Sequence, residues 1–243
     1  MKRFVDLHLR APIKDPYQVE RMIRKSSELG YRLVGLMLPP NIMRDHVNQL
    51  QQICSDAAID LVTRVNLSPK TPGELLRDLR RLRRKFEVIS VACTSKGVAR
   101  QAARDRRVDL LSFPATDLRK RFFDRAEAEL ASKALSSLEI EMAPLLLLAG
   151  FSRIRLLSRL RREVETAEKF KVPVTISSGA TNEYLIRGPH DYAALTILFG
   201  MPVSSALRAL SENPVTMVER NREKLSPDYV SPGIRVVGRK NHV

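Results

Sequence analysis

Short apolar runs recur along the chain, and each is followed by a segment whose apolar positions repeat every three or four residues. The runs start roughly thirty residues apart, which is the length of one strand followed by one helix. Most runs are apolar at nearly every position, as expected for a parallel sheet that is covered on both faces. Seven strands are predicted, over residues 4–9, 33–38, 59–65, 87–93, 108–113, 138–142 and 172–177.

Residues that start and stop helices stand between these runs. Gly30 ends the first predicted helix, and Thr71, Pro72 and Glu74 form a capping box with proline at the first helical position. A helix is therefore predicted to start near Pro72, with leucines along one face and arginines along the other. Near the end of the chain, a helix is predicted over residues 204–210. A last helix, capped by Asn213, is predicted to run to about residue 224.

The regular alternation predicts a single α/β domain. No linker rich in glycine, serine or proline interrupts it, and 243 residues suit one closed TIM-like (β/α) barrel better than two domains. Seven strands and two extra C-terminal helices are recognisable, so the barrel is either incomplete or closed by an irregular segment. An open doubly wound sheet is the alternative, but its usual glycine-rich loop after the first strand is absent. We predict a barrel domain over residues 1–225 and an extended or disordered tail over 226–243.

The charge of the chain indicates which classes of molecule it binds. Lysine and arginine number 42 against 27 acidic residues, which gives a net charge of +15, and 30 of the 42 are arginine. Because guanidinium groups bind phosphate in a planar, bidentate way, this excess favours nucleic acid, with a membrane surface second. A GC-rich genome explains why arginine outnumbers lysine, but not why basic residues outnumber acidic ones. Aromatic residues make up only 5% and tryptophan is absent, which favours contacts to folded RNA over base stacking.

Other features exclude membrane, secreted and zinc-binding classes. The longest apolar run, residues 142–151, is too short to cross a bilayer and contains a proline. The first residues lack the apolar core of a signal peptide, so we expect a cytoplasmic protein with no membrane contact. Cys54 and Cys93 lack the spacing of a disulfide framework or a zinc site and are predicted to be buried small residues.

No dinucleotide-binding, P-loop, zincin or α/β-hydrolase motif occurs, so chemistry is sought in smaller groups of residues. Asp6 and His8 share one face at the end of the first strand, a pattern that metal sites use. Histidine is scarce, so we expect no metal there and a buried Asp6 that is bound by a basic residue or by backbone amides. Glu139 and Glu141 also share a strand face. They suit acid and base catalysis, or, more commonly in a basic protein, the neutralisation of arginine.

Two sets of residues are candidates for phosphate or RNA binding. Ser177, Ser178 and Gly179 follow the seventh strand, where barrels commonly bind phosphate through backbone amides; a tight turn that needs glycine is the alternative. The second set is basic and stands at or just beyond predicted strand ends, so we expect one positive surface on the carboxyl rim of the barrel. Its members are Arg64, Lys96, Arg119, Lys120 and Arg187.

Several longer runs carry a resemblance to a known family. They span residues 6–11, 87–91, 107–113, 139–142, 173–180, 187–191 and 198–201. The most specific are Val-Asp-Leu-Leu-Ser-Phe at 108–113 and Thr-Ile-Ser-Ser-Gly-Ala at 175–180. With them the chain resembles, nearly from end to end, archaeal RNase P protein component 3, a family related to the thirty-kilodalton subunit of eukaryotic RNase P and RNase MRP.

The resemblance implies a TIM-like barrel and a noncatalytic place in the ribonucleoprotein that removes the 5′ leader of precursor tRNA. It implies as partners the RNase P RNA, precursor tRNA, RNase P protein component 2 and other RNase P proteins. The RNA would carry the chemistry and hold magnesium ions, so the chain would need no cofactor and no catalytic residue. The family is also distantly similar to PHP phosphoesterases, but Asp6 stands where their first metal-binding histidine is expected. A stand-alone barrel phosphoesterase, or an enzyme acting on a phosphorylated small molecule, is the alternative.

Overall fold

The computed structural model describes residues 3–115, 117–231 and 234–235, with strands and helices in regular alternation. The strands are β1 Phe4–Leu9, β2 Tyr31–Met37, β3 Asp60–Leu67, β4 Val88–Ala92, β5 Leu110–Ser112, β6 Ser137–Glu141, β7 Val174–Ser177, β8 Tyr229–Ser231 and β9 Ile234–Arg235. The helices are α1 Pro16–Glu28, α2 Arg44–Asp56, α3 Pro72–Leu82, α4 Lys96–Arg104, α5 Arg125–Ala134, α6 Ala143–Leu147, α7 Gly150–Lys169, α8 Pro189–Leu195, α9 Val203–Ala209 and α10 Glu212–Leu225. Short 3₁₀ turns cover Leu118–Lys120, Glu183–Leu185 and Thr196–Phe199.

The first seven strands form one parallel sheet in chain order, from β1 to β7. The sheet closes on itself at the carboxyl ends of its strands, where Leu9 forms a parallel bridge with Ala180. Around that bridge the Gly179 amide donates to the His8 carbonyl at 3.0 Å, and the Arg10 amide donates to the Ala180 carbonyl at 2.8 Å. All seven predicted strands are present, and the predicted TIM-like barrel is confirmed.

An irregular segment takes the place of an eighth barrel strand. Between the amino-terminal parts of β1 and β7 lies the turn that joins α9 to α10. The Leu210 carbonyl accepts a hydrogen bond from the Val5 amide at 2.8 Å, and Asn213 Nδ2 donates to the Val174 carbonyl at 2.7 Å. Asn213 is therefore not the predicted helix cap, because α10 already begins at Glu212 and the Asn213 side chain is bonded to β7 instead.

Helix α10 packs across the amino-terminal end of the barrel. Its Met217 and Val218 are buried against side chains that fill the barrel interior, namely Val5, Leu7, Leu33, Val62, Val88 and Leu110. One turn further along α10, Arg222 pairs with Asp60 at 2.7 Å and with Glu87 at 2.5 Å. The lower half of the barrel is thus apolar and plugged, so polar chemistry inside the barrel is confined to its carboxyl end.

The outer helices follow the boundary signals of the sequence. Thr71 caps α3 by accepting from the Glu74 amide at 3.2 Å, and Pro72 is the first helical residue. Gly30 follows α1 with a φ of +94°, a conformation that glycine adopts without strain. Cys54 and Cys93 are both buried free thiols, as predicted.

The chain after α10 turns back on itself. Strands β8 and β9 pair as an antiparallel hairpin, and most of the predicted tail beyond it, residues 236–243, lies outside the described residues. The division into a domain over 1–225 and a tail over 226–243 stays a prediction. Among the described helices, none combines the length and the apolar character that crossing a membrane would need.

Gly35 provides a test of how closely β1 and β2 must approach. A Cβ atom at Gly35 would overlap the carbonyl oxygen of Leu7 and lie 2.8 Å from its carbonyl carbon. Because backbone in the middle of the barrel cannot move aside, we expect Gly35→Ala to lower the free energy of unfolding by roughly 3 kcal/mol or more. Urea denaturation measures this difference.

The matched control is Gly73→Ala on the exposed side of α3, where the nearest atom to the added Cβ is Thr71 Oγ1 at 4.0 Å. Alanine favours the helix there, so the control should be neutral or stabilising by up to about 1 kcal/mol. Equal effects of the two substitutions would contradict the close approach.

Candidate functional site

Charged and polar side chains are concentrated inside the carboxyl end of the barrel. Asp6 and His8 come from β1, Arg64 comes from β3, and Glu139 and Glu141 come from β6. Residues two apart on a strand share a face, and both pairs point inward, as predicted. All of these residues except Glu141 are buried.

A buried ion pair between Arg64 and Glu139 lies at the centre of this cluster. Arg64 Nη1 donates to Glu139 Oε1 at 2.5 Å and Nη2 donates to Oε2 at 2.7 Å, with both side chains 0% exposed. Ser90 and Ser177 also donate to the carboxylate, at 3.2 and 2.8 Å. Burial acts to raise the pKa of Glu139, but the charge and hydrogen bonds of Arg64 outweigh burial and hold that pKa below its ordinary value.

The remaining donors of Arg64 are also used inside the protein. Nη1 donates to the Leu7 carbonyl at 3.0 Å, and Nε donates to Asn66 Oδ1 at 2.7 Å. The guanidinium is therefore fully buried and bonded within the protein, and it has no exposed surface with which to contact a phosphate. The prediction that Arg64 faces RNA is corrected: a charged residue within an apolar strand is held inside by a matching carboxylate.

Glu141 and His8 form the outer part of the cluster. Arg10 Nη2 donates to Glu141 Oε2, while His8 Nδ1 lies 3.3 Å from Glu141 Oε1. Burial would raise the pKa of Glu141, but His8, Arg10 and Arg64 together lower it to about 2. His8 Nε2 accepts from Asn66 Nδ2 at 3.0 Å and from Arg10 Nε at 3.3 Å, so the ring proton belongs on Nδ1, facing Glu141. Both glutamates thus neutralise arginine, as predicted for a paired acid in a basic protein.

The ligand-type atoms of His8, Glu139 and Glu141 all lie within 4.8 Å of one another, a separation that a metal site requires. Their partners argue against a resident divalent ion. Arg64 engages both oxygens of Glu139, and Arg10 and His8 engage Glu141. A metal would have to displace both guanidinium groups, and that of Arg64 would be left unpaired in a buried site, which is costly. The residues present do not fit a catalytic metal centre.

Asp6 ties β1 to the turn that follows β7. Its Oδ1 accepts from the Ser178 amide at 2.9 Å and from the His8 amide at 3.1 Å. Burial raises the pKa of Asp6 in spite of these hydrogen bonds, which act in the opposite direction. Asp6 is the buried, amide-bound residue that the sequence predicts.

The turn at residues 177–180 has no free amide to offer a phosphate. The Ser178 amide donates to Asp6, the Gly179 amide donates to the His8 carbonyl, and the Ala180 amide donates to Ser178 Oγ at 3.1 Å. The hydroxyl of Ser177 donates to Glu139. The predicted phosphate-binding turn of Ser177, Ser178 and Gly179 is therefore corrected, because its donors hold the barrel closed.

The alternative interpretation of this segment, a tight turn that needs glycine, agrees with the structure. Gly179 has a φ of +65°, and a Cβ there would lie 3.1 Å from Glu141 Oε2. The turn needs glycine for its backbone conformation and for the close approach of this carboxylate.

The other predicted RNA-facing residues divide between the two ends of the barrel. Lys96 opens α4, and Arg119 and Lys120 lie in the loop after β5; all three are exposed on the carboxyl side. Lys120 also lies 3.3 Å from Asp117. These three residues remain candidates for RNA contact.

Arg187 is exposed but lies towards the opposite end. Its carbonyl accepts from the hydroxyl of Tyr31 at 2.9 Å, and the nearby His190 packs edge-on against Phe4 with ring centroids 5.3 Å apart. Tyr31 and Phe4 are the first residues of β2 and β1. The prediction that Arg187 joins a common rim is therefore corrected, because the loop after β7 runs down the outside of the barrel.

A basic cluster at the amino-terminal end was missed in the sequence. Arg83, Arg84, Arg106, Arg107 and Lys224 line a cavity of 630 Å³ beneath the barrel. The signal is present in the chain, since one arginine pair shortly precedes β4 and another shortly precedes β5. The starts of parallel strands meet at one edge, so the two pairs are brought together there.

The Arg64–Glu139 pair predicts a large, partner-dependent effect on stability. Arg64→Met leaves a carboxylate buried without its cation, so we expect the free energy of unfolding to fall by about 3–5 kcal/mol. The double variant Arg64→Met/Glu139→Gln should recover much of this loss, because no charge is left unpaired. Urea unfolding of the wild type, both single variants and the double variant gives the coupling energy.

Exposed Arg119→Met is the matched control and should change stability by less than about 0.5 kcal/mol. A loss below about 1 kcal/mol for Arg64→Met, or two losses that simply add in the double variant, would show that the pair does not hold the barrel mouth together.

Comparison with known proteins relates this barrel to a family. Ribonuclease P protein component 3 of Methanosarcina mazei is 29% identical over 238 residues, covering 96% of this chain and 95% of that protein. The protein of the same description from Methanothermobacter thermautotrophicus is 26% identical over 242 residues, covering 98% and 96%.

Solved structures show the same fold. A chain in a cryo-EM structure of archaeal ribonuclease P with mature tRNA superimposes with a TM-score of 0.82 at 22% identity, covering 97% of this chain and 99% of that chain. A putative prolidase from Bifidobacterium longum superimposes with a TM-score of 0.55 at 11% identity, covering 91% and 70%. The family model described as RNase P subunit p30 matches residues 3–226, nearly the whole chain. This protein therefore belongs to the RNase P subunit p30 family.

Proposed function

We propose that this chain is a protein subunit of ribonuclease P that binds and stabilises the folded catalytic RNA, so that the holoenzyme removes the 5′ leader from precursor tRNA. The family match over residues 3–226 carries the proposal. The relatives aligned over nearly the full chain have the description ribonuclease P protein component 3.

The chemistry of the barrel mouth supports a noncatalytic role for the chain. Glu139 and Glu141 are held ionised by arginines, and the amides of the turn after β7 are engaged. Both glutamates of β6 are therefore ionised at neutral pH, and the engaged amides cannot stabilise a developing charge. The RNA supplies the reaction centre and holds the magnesium ions, and the chain itself needs no cofactor.

The charge of the chain supports RNA as its ligand. Folding a catalytic RNA brings phosphates close together, and cationic side chains offset their mutual repulsion while releasing bound counterions. The net charge of +15 supplies this at many surface positions. On the carboxyl side of the barrel, the exposed Lys96, Arg119 and Lys120 are the proposed RNA contacts.

A protein partner is also part of the proposal. The large apolar residues Leu147 of α6 and Phe151 and Ile154 of α7 are 66%, 82% and 61% exposed. Exposed apolar residues close together on a surface are typical of protein interfaces. RNase P protein component 2 is the proposed direct partner, with other RNase P proteins, the RNase P RNA and precursor tRNA in the same assembly. The cytoplasm is its proposed location.

The alternative is a barrel enzyme that acts on a phosphorylated small molecule or phosphoester. Its expected phosphate site is the turn at residues 177–180, but the donors of that turn hold the barrel closed. We expect the purified chain to show no metal-dependent hydrolysis of a generic phosphodiester such as bis(p-nitrophenyl) phosphate in the presence of Mg²⁺, Mn²⁺ or Zn²⁺. Robust hydrolysis that His8→Ala abolishes would support the alternative and contradict this expectation.

Reconstitution tests the proposed function directly. Leader removal from precursor tRNA is measured with the RNase P RNA and the other protein subunits, with and without this chain. Omission should lower cleavage, and the chain without RNA should cleave nothing. In RNA-binding titrations, the rim variant Lys96→Gln/Arg119→Gln/Lys120→Gln should weaken binding and reduce the salt slope by up to about one unit per lost phosphate contact.

The matched control removes three exposed arginines of α7, as Arg155→Gln/Arg159→Gln/Arg162→Gln, and changes the net charge equally. This α7 control variant should bind RNA more tightly than the rim variant. Cleavage that is indifferent to the presence of the chain would contradict the proposed function. Equal binding by the two variants would contradict the choice of rim residues.

A further inference from the structure

The basic cluster beneath the barrel forms what we term the basal groove, lined by Arg83, Arg84, Arg106, Arg107 and Lys224. Its cavity has a volume of 630 Å³, and none of the described residues that line it is acidic. Asn221, Leu225, Ser226, Pro227, Tyr229 and Val230 complete the lining. The groove lies at the end of the barrel opposite the Arg64–Glu139 pair.

The topology explains why these charges meet. Arg83 and Arg84 follow the last turn of α3 and shortly precede β4, while Arg106 and Arg107 lie between α4 and β5. Lys224 is near the end of α10, which crosses beneath the barrel. Three separate parts of the chain thus contribute cations to one concave surface. The attraction of cations to a helix carboxyl terminus does not account for Arg106 and Arg107, which lie in a loop.

Some of these cations have structural partners. Arg83 pairs with Asp109 and donates to the carbonyls of Phe86 and Glu87 at 2.6 and 2.7 Å. Arg107 pairs with Asp105 at 2.7 Å. These two arginines therefore have a clear role in holding the loops at the base of the barrel.

The other three cations have no such role. Within the described residues, Arg84, Arg106 and the ammonium of Lys224 make no hydrogen bond or ion pair. The nearby carboxylates are already engaged: Asp60 and Glu87 with Arg222, Asp105 with Arg107, and Asp109 with Arg83 and Arg220. Within the part of the chain that the structure describes, these three cations thus face one cavity without a carboxylate bonded to them.

Lys224 is affected by this concentration of charge. Partial burial lowers its pKa, and the positive charges of Arg220, Arg83 and Arg106 lower it further, against a weaker opposite effect of Asp109. The folded protein therefore holds mutually repelling cations in place at the groove. Binding of an anion would relieve this repulsion.

The shape of the surface indicates a chain-like anion. A second cavity of 400 Å³ adjoins the first and shares Arg106, Lys224 and Tyr229 with it. This extension adds Arg220 and only one acidic residue, Glu223. Cations therefore line both adjoining cavities. Successive phosphates of a polynucleotide fit cations that are spread along a groove.

We propose that the basal groove binds phosphodiester groups of folded RNA through Arg84, Arg106 and Lys224, with Arg83 and Arg107 fixing its walls. This proposal rests on the proposed function, since RNase P RNA is the polynucleotide concerned. It gives the protein an RNA-binding surface at the base of the barrel, separate from the rim residues.

The test compares variants of equal charge in titrations against RNase P RNA over a range of salt concentrations. The basal variant is Arg84→Gln/Arg106→Gln/Lys224→Gln, and the α7 control variant is its match. The basal variant should lose roughly tenfold to a hundredfold in affinity near 0.1 M salt, and its salt slope should fall by up to about one unit per replaced cation. Because the three cations are exposed and repel one another, the free energy of unfolding of the basal variant should not fall below that of the wild type.

Single substitutions keep the proposal testable if the triple variant folds poorly. Arg84→Gln and Lys224→Gln should each reduce the salt slope by up to about one unit and weaken binding uniformly across structured RNAs. Single Arg155→Gln is the corresponding control and should have a smaller effect.

The outcomes separate this proposal from the proposed function. If the wild type binds RNase P RNA and supports leader removal while the basal and α7 control variants behave alike, the groove is not an RNA surface and the proposed function stands. If the basal variant keeps its RNA affinity but no longer captures RNase P protein component 2, the groove is a protein interface and the proposal is wrong. Failure of the wild type in both assays would overturn the proposed function, and the basal groove proposal with it.

Discussion

The buried pair of Arg64 and Glu139 determines what the rest of the barrel can do. Moving two full charges out of water costs several kcal/mol for each ion, and the cost is met only when every donor and acceptor is matched. The match is completed by the hydroxyls of Ser90 and Ser177, which donate to Glu139, and by the Leu7 carbonyl, which accepts from Arg64. Gly35 has no side chain and so leaves room for that carbonyl. The result is an ion pair whose two charges are engaged inside the barrel mouth and are not available for catalysis.

Because this ion pair occupies the inside of the barrel, the protein acts through its outer surface. The inward-facing acids of β6 are matched by arginines at the carboxyl end, and the acids at the amino-terminal end are matched by arginines of α10 and the adjacent loops. Most of the excess positive charge has to be outside these pairs, where it is available to a polyanion. Because the ion pairs at each end of the barrel form within the protein, the barrel can present its unpaired cations to RNA without changing its own fold.

The sequence was sufficient to predict the architecture but not the site. Strand spacing and the signals at Gly30 and Thr71 are local, so seven strands and a barrel follow from them. The partners of Arg64 and of the Ser178 amide are distant in sequence, and their bonds exist only once the barrel closes. Arg187 was misplaced because the path of a long loop depends on tertiary contacts. The basal groove had a local signal, since paired arginines shortly before consecutive strands must share one edge of the sheet.

The turn between α9 and α10 has a consequence for how the protein is made. Val5 and Val174 obtain hydrogen-bond partners at the base of the barrel from Leu210 and Asn213, near the far end of the chain. During translation, the amino-terminal parts of β1 and β7 therefore keep an open edge until those residues leave the ribosome. Open edges pair readily with other chains. Ring closure is thus a late step of biogenesis, and a truncated product that ends before α10 would be a target for chaperones and proteases instead of an assembly intermediate.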